Sequence, residues 1–354
     1  MALRRLSVLV ADDSALYRQM LQNILQRIPG VEIVGTASDG VQAVAQVLDL
    51  RPDVLTLDVQ MPRLDGLGVL RELRALGSRT KAIMVSSHTD HGTPTTVEAL
   101  MEGAFDFVPK PAGVDPHVAR VIIHEALLEK LTAVADQLFS PASTHGGGAV
   151  ALPPRVPRQG LAAVAIGTST GGPQALRAVI PALPGDLAVP LFVVQHMPIG
   201  FTRALASRLD ELSQLRVVEA GHGMPIEPGN AYVAPGGQHL TVERTGSMVR
   251  CALDDVGPPR LSCRPSFDTM LESLVPVYGA GVVAVVMTGM GQDGLAGCRA
   301  VKAAGGVVIA QAAAGCALYG MPKAVTEAGL ADIVVPQESI AAAIMACARG
   351  KAVR

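Results

Sequence analysis

Val54-Leu55-Thr56-Leu57-Asp58 is an apolar run closed by a carboxylate. Short β-type runs flank it at Leu6–Ala11, Val31–Ala37, Ala82–Val85 and Phe105–Val108, with helix-like stretches between them. Strands alternating with helices predict a parallel sheet of five strands covered on both faces. The first run is followed by Asp12-Asp13, the third ends at Asp58, the fourth at Ser86 and the fifth at Lys110. In an open parallel sheet the carboxyl ends of the strands share one edge, so these polar groups converge there. Clustered carboxylates repel unless a cation joins them, and an oxygen-rich set suits Mg²⁺, held by Asp12, Asp13 and Asp58. The ion neutralises charge on an incoming phosphoryl group, while Lys110 and the Ser86 hydroxyl bind its oxygens. Asp58, in the centre, is the expected phosphoacceptor. His88 and His91, with Asp90 between them, imitate a metal pair, but surface histidines are the simpler account.

Val114–Leu138 carries apolar residues at helical spacing and reads as the last helix of this first domain. Ser140–Gly160, SPASTHGGGAVALPPRVPRQG, is rich in glycine, proline and small residues, a composition that resists packing and marks a linker. Alternation resumes beyond it at Ala163–Ile166, Leu191–Val194, Val282–Met287, Val307–Ala310 and Ile333–Val335. Leu240–Leu253 instead alternates about Gly246-Ser247 and predicts a β-hairpin. The expected fold is α/β: an N-terminal five-stranded parallel (βα)5 domain, a linker, and a C-terminal α/β/α domain with a mostly parallel sheet plus a hairpin. The boundaries fall at 1–125, 126–160 for the helix extension and linker, and 161–350.

Composition narrows the function. The chain has 354 residues, more than one core usually serves, and 49% of them are apolar. It carries 29 basic against 31 acidic residues, a net charge of -2, which argues against nucleic acid as a partner. No apolar run reaches membrane-spanning length, and Asp12-Asp13 interrupts the amino end too early for a signal peptide, so a cytoplasmic protein without membrane insertion is expected. Cys251, Cys263, Cys298, Cys316 and Cys347 show no paired spacing and read as free thiols.

Gly167-Thr168-Ser169-Thr170-Gly171-Gly172 follows a strand and opens a helix. Its letters match the G-x-S-x-G nucleophile elbow, which presents a hydroxyl at a helix amino end where N–H groups can hold an oxyanion. Phosphate-binding turns look alike, so the partners must carry the reading. His196, in Gln195-His196-Met197-Pro198, and Asp293, in Thr288-Gly289-Met290-Gly291-Gln292-Asp293-Gly294, follow other predicted strands of the same sheet. His196 would take the Ser169 proton and Asp293 would orient the imidazole. Backbone N–H groups near Thr170 and Met290 are the expected oxyanion donors. His239 is the best rival as base or substrate-side residue, and His222 ranks below it. Gly289–Gly294 also spells G-x-G-x-x-G, but no Asp or Glu lies between Leu295 and Thr326 to hold a ribose, and the motif comes late in its domain. No cofactor is expected for the esterase reaction.

Asp12-Asp13, Asp58 with Met61-Pro62 and Asp65-Gly66, Ser86, and Lys110-Pro111 together resemble the receiver domain of two-component response regulators. That resemblance implies phosphotransfer from a histidine kinase, with Ser86 and Phe107 relaying the change to one face. The order Ser…His…Asp departs from the common α/β-hydrolases. Ile166–Pro173, Gln195–Pro198, Tyr232–Gly236, Arg264-Pro265-Ser266, Met287–Gly294 and Gly320-Met321-Pro322-Lys323 resemble the chemotaxis protein-glutamate methylesterases, the CheB family. Ala312-Ala313 departs from the polar or acidic residues usual there, and Phe267 replaces a smaller aliphatic. The resemblance implies a triad of Ser169, His196 and Asp293 that hydrolyses glutamate γ-methyl esters on chemoreceptors, releasing methanol, and deamidates certain glutamines. It also implies that the unphosphorylated receiver covers the catalytic edge. Two alternatives are a response regulator whose C-terminal domain is a non-catalytic binding module, and a general carboxylesterase indifferent to phosphorylation.

Overall fold

The first element, β1 (Leu6–Ala11), leads an unbroken alternation: α1 (Ala15–Leu25), β2 (Val31–Ala37), α2 (Gly40–Leu50), β3 (Val54–Asp58), α3 (Gly66–Ala75), β4 (Lys81–Ser87), α4 (Gly92–Met101), β5 (Asp106–Lys110) and α5 (Pro116–Phe139). This computed structural model describes residues 5–87, 92–111, 113–139, 157, 160–255 and 263–348. His88, Asp90, His91 and most of Ser140–Gly160 lie outside the described residues. The chain divides into two compact units, the first ending at Ser143.

Local chemistry starts the helices of the first unit. Ser14, Asp39 and Asp65 stand before α1, α2 and α3, and their side chains accept N–H bonds from Tyr17, Gln42 and Gly68. Each such cap contributes about 1 kcal/mol. The sheet order is β2-β1-β3-β4-β5, with every pair parallel. Leaving β1, the chain pairs first on one side with β2, then crosses to β3 on the other. The carboxyl ends of β1 and β3 therefore border the crevice where such sheets bind ligands.

The second unit runs β6 (Ala163–Thr168), α6 (Gly172–Val179), β7 (Leu191–Gln195), α7 (Phe201–Leu212), β8 (Arg216–Glu219), β9 (Asn230–Val233), β10 (His239–Thr245), β11 (Met248–Asp254), α8 (Phe267–Tyr278), β12 (Val282–Val286), α9 (Leu295–Ala304), β13 (Val307–Gln311), α10 (Met321–Glu327), β14 (Ile333–Val335) and α11 (Ile340–Ala348). Seven parallel strands lie in the order β14-β13-β12-β6-β7-β9-β8, and β10 pairs with β11 in an antiparallel hairpin of its own. This is the expected architecture with two strands added. β8 and β9 have four residues each, with polar residues Arg216, Glu219 and Asn230 among them, and β8 is an edge strand whose end residue Arg216 is exposed.

Phe192, Val194, Ala284, Val286 and Val308 point from one sheet face into a cluster with Phe267, Leu271 and Leu274 of α8, Val301 of α9, Val325 of α10, and Leu240 and Val242 of the hairpin. The alternate residues Ile166, Val193, Val283, Val285 and Ile309 are also fully buried. A parallel sheet must be covered on both faces, and this one is. Phe267, the larger residue noted in the sequence, is fully buried in this core. No helix among the described residues is long and apolar enough to cross a membrane.

Candidate active site

β12 and β6 are neighbours from which the strand order runs outward in opposite directions, so their carboxyl ends form the switch point of the second sheet. Ser169 directly follows β6, His196 directly follows β7, and Asp293 sits in the loop between β12 and α9. The topology thus brings three residues scattered over the sequence to one sheet edge. The Ser169 turn is pinned from two sides. Its N–H donates to the Thr288 carbonyl at 3.0 Å, and its own carbonyl accepts from the Gly172 N–H at 2.8 Å. The Thr288 hydroxyl donates to the Thr170 carbonyl at 2.9 Å. A Cβ on Gly289 would stand 2.8 Å from the Ser169 Cβ, so only glycine lets this loop lie against the turn. Thr170 and Met290, whose N–H groups were expected to face an oxyanion, consequently flank Ser169 on the two pinned segments.

His196 Nε2 lies 2.8 Å from Asp293 Oδ2. The carboxylate also accepts from the Phe267 N–H at 2.6 Å, the Asp268 N–H at 3.0 Å, the Gly294 N–H at 3.1 Å and the Ser266 hydroxyl at 3.0 Å. Phe267 and Asp268 open α8, so Asp293 occupies a helix amino end, where backbone N–H groups favour negative charge. Burial alone would push the Asp293 carboxyl up, but the bonds from His196 and the backbone hold it below the ordinary carboxylate range. Burial likewise pulls the His196 imidazole down, and the bonds to Asp293 and to the Cys263 sulfur outweigh it, pushing the ring up to about 9.

These shifts set a stability window and an activity profile. The His196 contribution is complete below its ordinary 6.5 and fades as pH rises through about 9. The Asp293 contribution is complete above 3.8 and fades as pH falls further. A base must be neutral to take a proton, so kcat/KM for ester hydrolysis should climb with pH to an inflection near 9. Replacing Cys263 with Ala should move that inflection down, because the sulfur helps to hold the proton on the ring. A profile flat through neutral and alkaline pH would contradict His196 as the base.

The structure places the rival histidines elsewhere. His239 Nδ1 accepts the Ser266 N–H at 3.2 Å, so this buried ring supports the residue that caps α8 and donates to Asp293. His222 Nδ1 accepts the Leu253 N–H on the hairpin. Asp268, absent from the sequence reading, is a second buried carboxyl; burial pushes it up to about 6, and it accepts the Gly297 N–H at 2.7 Å. Its place in Arg264-Pro265-Ser266-Phe267-Asp268 was the one available signal.

At the first sheet's edge, Lys110 Nζ bridges Asp12 Oδ2 at 2.8 Å and Asp58 Oδ2 at 2.9 Å. Burial pushes the Asp58 carboxyl up, Lys110 opposes this, and Asp12 adds to it. Asp12, Asp13 and Asp58 each offer an oxygen, all within 4.8 Å of one another. An octahedral Mg²⁺ with ligands at about 2.1 Å spans such a set, and one ammonium cannot balance three carboxylates, so these residues fit the ion. Ser86 is fully buried, and its Oγ is joined to the Thr96 hydroxyl at 2.5 Å. Phe107 is buried on β5, opposite Met84 in the ladder. The Tyr17 ring, which nothing in the sequence singled out, lies 4.4 Å from Lys110 Nζ.

Two separate stretches of the chain match known families. Residues 164–344 match the CheB methylesterase family, and residues 8–122 match the response regulator receiver domain. The chain belongs to the CheB family. The protein-glutamate methylesterase/protein-glutamine glutaminase of Symbiobacterium thermophilum is 46% identical over 362 residues, covering 96% of this chain and 96% of that one. Its namesake in Geobacillus kaustophilus is 42% identical over 354 residues, covering 97% and 99%. The crystal structure of the Thermotoga maritima CheB methylesterase catalytic domain matches with a TM-score of 0.50 at 43% identity, covering 51% of this chain and 96% of that one.

Proposed function

We infer that this CheB-family chain is a phosphorylation-linked serine esterase that hydrolyses glutamate γ-methyl esters on chemoreceptors and deamidates certain of their glutamines. The observation that carries the reading is the 2.8 Å bond from His196 to Asp293 beside the doubly pinned Ser169 turn. Because Nε2 is committed to Asp293, the serine proton goes to Nδ1, where the Cys263 sulfur, the ring's other partner, must yield to Ser169 Oγ. Ser169 Oγ attacks the ester carbonyl as His196 accepts its proton, and the N–H groups of Thr170 and Met290 hold the oxyanion. The imidazolium, stabilised by Asp293, then protonates the departing methoxide to methanol. Water attacks the acyl-enzyme with His196 again as base, and the glutamate carboxylate returns. A glutamine follows the same path with ammonia as the leaving group.

The receiver, assigned to residues 1–125, supplies control to the catalytic segment, assigned to 161–350. A chemotaxis histidine kinase is the phosphodonor and Asp58 the acceptor. Mg²⁺ bound by Asp12, Asp13 and Asp58 supplies charge neutralisation for the phosphoryl group. Lys110, already bridging two of these carboxylates, reaches its oxygens, and Ser86 and Phe107 carry the change away from the edge.

Methanol release from methylated receptor membranes, with Mg²⁺ and with or without a small phosphodonor, tests both halves. Phosphodonor should raise the wild-type rate and leave an Asp58→Ala variant at the unstimulated rate. Equal stimulation of both would remove the switch and leave the esterase. No release from any receptor tested, phosphodonor present, would leave a phosphorylated binding module as the better account.

A further inference from the structure

We propose that Gln195 is the positioning residue that holds nucleophile and base in register, a role resting on the triad reading above. Gln195 ends β7 opposite Thr168, the last residue of β6, and beyond that pair the two strands part into the loops carrying His196 and Ser169. Its side chain is buried, with the residue only 2% exposed, and every polar atom of the amide is used. Nε2 donates one N–H to the Ser169 carbonyl at 3.0 Å and the other to the His196 carbonyl at 3.1 Å. Oε1 accepts the Thr168 hydroxyl at 2.7 Å. One rigid, planar group therefore ties together the backbone of the residue that attacks and the residue that takes its proton.

The orientation of the amide is settled by its neighbours. The Thr168 hydroxyl could donate or accept, but the two carbonyls can only accept, so the nitrogen must face them. The turn is shaped to admit the group. A Cβ on Gly172 would stand 1.8 Å from Gln195 Oε1, so the second glycine of Gly171-Gly172 makes room for this amide as well as opening α6. Gln195 touches neither substrate nor the reacting atoms in the mechanism above. Its effect passes through the placement of Ser169 and His196, where misplacement by about 1 Å costs on the order of 100-fold in rate.

The test uses the full chain, phosphorylated with a small donor and Mg²⁺, on methylated receptor membranes. Replacing Gln195 with Leu keeps the volume and removes both donors. It should lower kcat about 100-fold while KM moves less than about two-fold. Gln195→Glu should behave alike, because a carboxylate opposes the two carbonyls. Thr168→Val frees Oε1 but leaves both carbonyl bonds, and should cost about ten-fold or less. A serine-directed fluorophosphonate provides a second readout: its first-order labelling rate at Ser169 should fall with kcat, and that rate is independent of how much protein is folded. The rate of Asp58 phosphorylation should be unchanged. Gln195→Leu with kcat and labelling rate within about two-fold of wild type would overturn the proposal, as would a loss confined to KM. If Gln195→Leu fails to fold, the same kcat and KM split in Gln195→Glu decides. A wild type that releases no methanol would overturn the triad reading and this role together, whereas an active Gln195→Leu overturns this role alone.

Discussion

Ser169→Ala should abolish methanol release from methylated receptors, with kcat lower by about 10⁶-fold and receptor binding intact. The expectation follows from what remains. His196 and Asp293 keep their 2.8 Å bond, and the turn keeps the backbone bonds of Ser169, since alanine preserves the N–H and carbonyl that use them. The hydroxyl that precedes Ser169, that of Thr168, is fully buried and donates to Gln195. Thermal stability should change by less than about 0.5 kcal/mol, because the residue is partly exposed and its Oγ caps no helix. Residual release above about one part in a thousand of the wild-type rate would mean that another group performs the attack.

Asp293→Asn should cost about 10⁴-fold in kcat and, unlike the serine variant, also destabilise the second unit. Asp293 receives five hydrogen bonds, from His196, Ser266, Phe267, Asp268 and Gly294. An asparagine offers one acceptor oxygen where two are used, and its NH₂ must stand either at Oδ2, against the imidazole and the Phe267 N–H, or at Oδ1, against the Ser266 hydroxyl and the Asp268 and Gly294 N–H groups. At Oδ2, it drives the ring proton from Nε2 to Nδ1 and removes the base from the side of Ser169. At Oδ1, it sets N–H against N–H at a helix end that favours negative charge. The loss of stability should be about 1–3 kcal/mol by thermal unfolding. The two substitutions act on one unit, so the double variant should be no slower than Ser169→Ala. Additive effects would separate Asp293 from the serine chemistry.

Much of this site is legible from strand ends. Asp58, Lys110, Ser169 and His196 each close or follow an apolar run, and parallel pairing alone then brings them to common edges. Asp293 could be located because its loop also follows a run, β12, adjacent to β6. The short strands β8 and β9 escaped, since each mixes polar with apolar residues over only four positions, whereas the shorter β14 is wholly β-branched. His239 looked like a rival base because chemical type says nothing about direction; its ring faces the Ser266 N–H. Gln195 lay inside a stretch read for its histidine alone, and nothing local indicates that a glutamine side chain reaches back to two carbonyls.

The sequence by itself determined most of the strands and the alternation with helices, that they build two α/β sheets, and which residues stand at the carboxyl ends of those strands. These depend on periodicity and on turn chemistry within a few residues, which the chain states directly. Only the tertiary structure decided that Asp293 sits on the first turn of α8, that Nε2 rather than Nδ1 meets it, that Tyr17 covers Lys110, and that one buried amide links Ser169 with His196. Each of these is a contact between segments far apart in sequence, fixed by packing and hydrogen-bond satisfaction in a shared interior, and a local pattern carries no record of it.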